Sequence, residues 1–145
     1  MKYLNEQFDL GAESQEDSST SVEALEAQLA AVQERLKESA PQIDAPQWRQ
    51  LALQEGRLLV NLKRGHAAWQ SARWCFDQFC AARLWSEAIE AARIMFQSGE
   101  PDALVALGHG VWLAVTFPVD PELSVALLQD IIEETPDDSD GAAVA

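Results

Sequence analysis

Residues 66–99, HAAWQSARWCFDQFCAARLWSEAIEAARIMFQSG, are the densest stretch of the chain and decide its fold class. They hold three of the five tryptophans, both cysteines and three of the five phenylalanines. In the first half, Trp69, Ala72, Phe76 and Phe79 step by three and four residues, the spacing of one buried helical stripe. In the second half, Ala88, Ala92, Met95 and Phe96 do the same. Gly99 stands where a helix stop is expected, with Pro101 two residues beyond. The stretch therefore predicts two helices joined by a short corner. Neither can hide its apolar face alone, so the pair must form a hairpin and recruit neighbours.

Working outward, the same periodicity continues on both sides. Val22, Leu25, Leu29, Val32 and Leu36 form a narrow seam opened by a Thr20–Glu23 capping box and closed by Pro41. That seam fits a helix laid on the domain or one that self-associates. Asp44 as cap and Pro46 in the first turn predict a second helix, with Trp48, Leu51, Ala52, Leu58, Leu59 and Leu62 on its apolar side and Arg64-Gly65 at its end. Leu104, Leu107, Val111 and Val115 share a face between Pro101 and Thr116. Asp120-Pro121-Glu122 opens a last helix, with Leu123, Ala126, Leu127, Leu128 and Ile131 as its buried side, ended by Thr135-Pro136. The expected architecture is all-α, stacked antiparallel helical hairpins of about six helices, near 20–38, 46–64, 67–82, 85–98, 102–116 and 121–134. A single helical domain over 20–135 is expected between acidic disordered tails, 1–19 and 136–145.

The formal charge is −14 over 145 residues, and it is unevenly placed. Residues 46–96 carry seven basic and four acidic side chains, while 97–145 carry ten acidic and none basic. Such a field disfavours direct nucleic-acid or anionic-membrane binding and suits solubility or a basic partner. No apolar run approaches the ~20 residues of a membrane span. The polar, acidic N-terminus is unlike a signal peptide, so a cytoplasmic location is expected. Cys75 and Cys80, five apart on one helix, point in different directions and read as buried thiols rather than a disulfide. No constellation of nucleophile, base and orienting group can be assembled, nor a ligand set around His66 or His109. Neither an enzyme, a cofactor nor a metal site is expected.

A shift of thirty-five residues lays Trp69 on Leu104, Ala72 on Leu107, Phe76 on Val111, Ala92 on Leu127 and Pro101 on Pro136. This unit, with Leu107-Gly108, the Glu87-Ala88-Ile89 string and the two closing prolines, resembles the tetratricopeptide repeat; a generic α-α repeat is the alternative. The resemblance covers about half the chain. It departs from the family at Ala72-Arg73, where leucine–glycine is usual, and at the long corner around Pro118. It implies a partner-binding groove lined by Gln70, Trp74, Asp77 and Gln78 from one unit and Val105, His109, Trp112 and Leu113 from the next. Packing of Trp74 and Trp112 under the first two helices is the competing reading. The expected function is a protein–protein interaction module, an adaptor or chaperone holding an apolar or amphipathic segment of a partner. The alternatives are an acidic inhibitor or immunity-type protein that blocks a basic site, and a structural subunit that assembles through helix 20–38.

Overall fold

A computed structural model describes residues 21–134. Thr20, Pro136 and the two expected tails lie outside the described residues. Six helices follow one another: α1 (21–37), α2 (Pro46–Asn61), α3 (Gly65–Ala81), α4 (Trp85–Gln97), α5 (Ala103–Thr116) and α6 (Pro121–Glu134), with no strand among the described residues. Each end of α2–α6 falls within one turn of the sequence expectation.

The corners explain the tight succession. Lys63 and Arg83 take left-handed backbone at φ 62° and 60°, and Gly99 does so at 76°. At each of the first two corners, one N–H reaches back five residues: Arg64 N to Leu59 O at 2.9 Å and Leu84 N to Phe79 O at 2.8 Å. This satisfies the orphaned carbonyls of the helix end, as in a Schellman turn, but without glycine. Gly65 therefore does not end α2. It opens α3, where a Cβ would stand 2.2 Å from the Ser98 carbonyl oxygen, so only glycine lets the start of α3 touch the end of α4. Asp44 does not cap α2 either; Ala45 is the cap residue and makes no side-chain bond. Asp120 does cap α6, its Oδ1 accepting from Glu122 N at 3.0 Å.

Helix α4 is the centre of the stack. It packs against α2, α3, α5 and α6. Ala88, Ile89, Ala91, Ala92, Ile94 and Met95 are all buried, which leaves Glu87, Glu90, Arg93 and Gln97 as the helix's one polar stripe. Its alanines admit close neighbours, and the neighbours reply with glycine. A Cβ on Gly56 of α2 would meet Ile94 Cγ2 at 3.0 Å, and one on Gly110 of α5 would meet Leu127 Cδ2 at 3.2 Å and Ala92 Cβ at 3.4 Å. Gly108 is open, with nothing near its missing side chain.

Three apolar faces are turned differently from the expected ones. On α3 the buried stripe is Ala68, Ala72, Cys75 and Phe79, while Trp69 and Phe76 are only half-buried. The side facing the alanines of α4 needs small volume, and the large rings rotate to the edge. On α5 the buried set is Ala106, Leu107, Gly110 and Leu113, and Leu104 and Val115 face solvent. On α6, Leu127 and Asp130 are buried, whereas Leu128 is exposed. Helix α1 turns its seam inward: Leu29 and Val32 join the core, Leu25 and Leu36 pack against it, and Val22 remains exposed.

Candidate functional site

Helices α3 and α5 both pack on α4 yet do not approach each other at the backbone. The gap between them is a cleft. Across it the Phe76 ring lies over the His109 imidazole, centroids 6.0 Å apart and 15° from parallel. This pair belongs to the lining of two depressions. One, of about 320 Å³, is walled by Phe76, Cys80, Trp85, Trp112, Leu113 and Phe117 with His109. The other, of about 340 Å³, runs past Trp69, Arg73, Asp77, Asp102 and Val105 to a floor at Met95. The first is apolar apart from one imidazole and one thiol. The second adds a guanidinium and two carboxylates.

The apolar depression is built from an aromatic cluster. Trp85, at the start of α4, stacks on Phe117, just past the end of α5, with centroids 3.9 Å apart and planes 8° from parallel. Trp112 meets the same Phe117 edge-on at 6.0 Å. Phe117 is held there because its extended backbone (φ −118°, ψ 153°) leads into Pro118, which cannot continue the helix. Trp112 itself remains 59% exposed. A rigid indole, fixed along one edge and wet on the rest, is a ready anchor for an apolar segment.

The expected groove residues separate. His109, Trp112 and Leu113 line the apolar depression, Leu113 as a buried wall; Asp77, Val105 and His109 line the mixed one. Trp74 is elsewhere. It lies edge-on to Trp48 at 6.1 Å, in a third depression of about 440 Å³ bounded by Leu36, Pro41, Ala52 and Cys75. There Ser71 Oγ donates to Glu55 at 3.0 Å. Trp74 therefore sits beside α1 and α2 yet is not packed under them, since it is 43% exposed. Gln70 is exposed and Gln78 half-buried; neither lines any of these three depressions. The rings that the sequence reading left out of the groove are Phe76, Trp85 and Phe117. Spacing alone puts Phe76 on the buried stripe and Phe117 at a helix break. A bulky aromatic directly before Pro118 is the one signal that could have marked the latter.

No group of three His, Cys, Asp or Glu side chains comes together as a metal site among the described residues. His66 lies 3.6 Å from Glu100, at the surface. Burial, and after it the Glu55 carboxylate, pushes the Cys75 thiol up to about 12; burial, then Asp77, raises Cys80. Both cysteines are free, and a thiol so shifted stays protonated and is a poor nucleophile at neutral pH. No helix among the described residues is long and apolar enough to cross a membrane. Comparison of the chain with protein-family models, with curated proteins and with solved structures finds no match in any of the three.

Proposed function

We propose that this protein is a protein–protein interaction module, an adaptor or chaperone, that holds an apolar segment of a partner in the cleft between α3 and α5. The observation that carries this reading is Trp112, 59% exposed beside the stacked Trp85–Phe117 pair. Large aromatics that are positioned yet wet are the side chains that dominate interface energetics when covered. The resemblance to tetratricopeptide units supports it, since α3 and α5 are the first helices of the two units and the cleft lies between them. In this stack α4 contacts both α2 and α6 while α3 and α5 stand apart, which leaves the cleft between those two odd-numbered helices.

The test uses the whole chain as bait in its native cell extract, followed by titration of the captured protein. Trp112→Ala should weaken that complex by about 2 kcal/mol or more, and added salt should change it little. The competing reading, an acidic inhibitor of a basic site, rests on the ten acidic and no basic residues of 97–145. It takes over if charge reversal at Glu133, Glu134, Asp137 and Asp138 abolishes binding while Trp112→Ala leaves it intact.

A further inference from the structure

A second surface lies at the far end of the stack. Among helices α2 to α6, α6 packs against α4 and α5. It buries Leu127 and Asp130, with Leu123 and Ala126 half-buried. On its other side Val125, Leu128 and Ile132 are spaced three and four residues apart and are 54, 59 and 68% exposed. Helix α5, beside it, also leaves Leu104 and Val115 exposed, at 61 and 78%. Helices α2 to α4 have their apolar faces met by neighbours; this stripe on α6 is open to solvent. Single exposed leucines are ordinary, but a periodic stripe along one helix marks a docking face. The same helices carry exposed Asp102, Asp120, Glu122, Glu133 and Glu134, and no lysine or arginine occurs from Gln97 onward.

We infer that this face docks a cationic amphipathic helix of a partner protein, laid along α6 as one more helix of the stack. The stripe supplies the i, i+3, i+7 anchors of helix-in-groove recognition. The acidic surround selects lysine and arginine on the flanks of the incoming helix. Charge also rules against the occupants this chain could provide. Residues 135–145 add three aspartates and no large apolar side chain beyond Val144, and residues 1–20 carry five acidic side chains against one lysine. A second copy would bring two ends, each with ten acidic and no basic residues, face to face. The surface is distinct from the α3–α5 cleft, and the inference stands without that cleft's proposed role.

The experiment titrates a synthetic amphipathic peptide of leucine and lysine, about 18 residues or ~27 Å of helix, into the full chain. Its counterpart has glutamate for every lysine. Four proteins are compared: the natural chain, Leu128→Ser with Ile132→Ser, Val125→Ser with Leu128→Ser, and Trp112→Ala. All the serine changes fall on exposed positions of the one stripe, so each pair removes anchors without opening the core. The lysine peptide should bind the natural chain, lose at least about tenfold with either serine pair, and change less than about twofold with Trp112→Ala, as anchors confined to one surface require. The glutamate peptide should not bind. Equal binding of the lysine peptide to both serine variants would overturn the inference, because charge alone would then suffice. Loss only in Trp112→Ala would overturn it too, and would leave the cleft as the binding surface. Sedimentation of the free chain as a dimer that the serine pairs dissolve would make a second copy the occupant and the inference wrong.

Discussion

The Arg93 guanidinium on α4 grips the Asp130 carboxylate on α6 with two donors, Nε to Oδ2 at 2.7 Å and Nη2 to Oδ1 at 3.2 Å. The two partners are unequally wet: the Asp130 side chain is 6% exposed and that of Arg93 27%. That inequality sets the expected outcome of breaking the pair. Arg93→Ala strands a buried carboxylate and should cost about 2–3 kcal/mol, somewhat below the loss for a fully buried pair because solvent already reaches one side. Asp130→Ala leaves a cation that water can reach and should cost less. The double change Arg93→Met with Asp130→Leu should recover most of the loss. Urea unfolding of the four proteins checks the order; a larger loss for Asp130→Ala than for Arg93→Ala would contradict it.

Two glycines at neighbouring corners are there for different reasons, and alanine separates them. At Gly99 the space is open and φ is +76°, so Gly99→Ala meets only the backbone penalty of the left-handed region, about 1 kcal/mol. At Gly65 the added Cβ would lie 2.2 Å from a backbone carbonyl that cannot swing aside like a side chain. Gly65→Ala should therefore cost about 3 kcal/mol, the upper end for overpacking. Arg83→Gly, which relieves the same backbone strain at φ 60° without removing a buried contact, should be neutral or mildly stabilising. Thermal melts of the three variants give the comparison.

Helix number and approximate ends were legible in the sequence because prolines and three-four spacing agree there, although Asp44 and Gly65 do not play the end roles that their residue types suggest. Which side of each helix faces inward was not. On α3 two interleaved stripes share Ala72 and Phe79, one running through Trp69 and Phe76 and the other through Ala68 and Cys75. Periodicity cannot choose between them; the volume left beside Ala88, Ala91 and Ala92 does. Residues 103–116, ALVALGHGVWLAVT, are apolar almost all round, so the facing side is set by where Gly110 lets α5 approach. Of the site, His109 and Trp112 could be placed from the repeat register. The position of Trp74 could not, because no register reveals that α1 and α2 lie beside it. The consequence is measurable: Phe79→Ala, at a fully buried ring, should cost about 3–5 kcal/mol, and Phe76→Ala clearly less, about 1–2. Equal losses would restore Phe76 to the core.

Cys75 makes the folded state sensitive to alkali. Its thiol rises from an ordinary 9.0 to about 12 on burial, so the folded chain keeps a proton that the unfolded chain releases above about 9. The stability tied to this thiol is complete below the unfolded value and is lost as pH rises toward the folded one. The slope is about 1.4 kcal/mol per pH unit across that window. Cys75→Ala should lower stability at neutral pH through the small cavity it leaves, and should flatten the decline above pH 9. Denaturant titrations of both proteins across that range are the check, and parallel declines would show that the thiol does not titrate on unfolding.

The five tryptophans let the cleft be watched directly. Trp112 and Trp74 are the exposed ones, at 59 and 43%, and they lie in different depressions: one against Phe117, the other against Trp48. Acrylamide should therefore quench both in the free protein, while Trp48, 9% exposed, resists. An apolar segment seated between α3 and α5 covers Trp112 and leaves Trp74 wet. Quenching in Trp112→Phe and Trp74→Phe proteins then assigns the change. On saturation with the captured partner, the Trp74→Phe protein should lose much of its quenching and the Trp112→Phe protein very little. The reverse result would move the binding surface to the depression between α1, α2 and α3, where Trp74 and Pro41 would be its anchors. Phe117→Ala sharpens the same test, since it removes the ring that holds both Trp85 and Trp112. It should raise the quenching of the free protein and weaken the partner by about as much as Trp112→Ala itself, roughly 2 kcal/mol, because an anchor that is no longer preorganised must lose its rotamer freedom on binding.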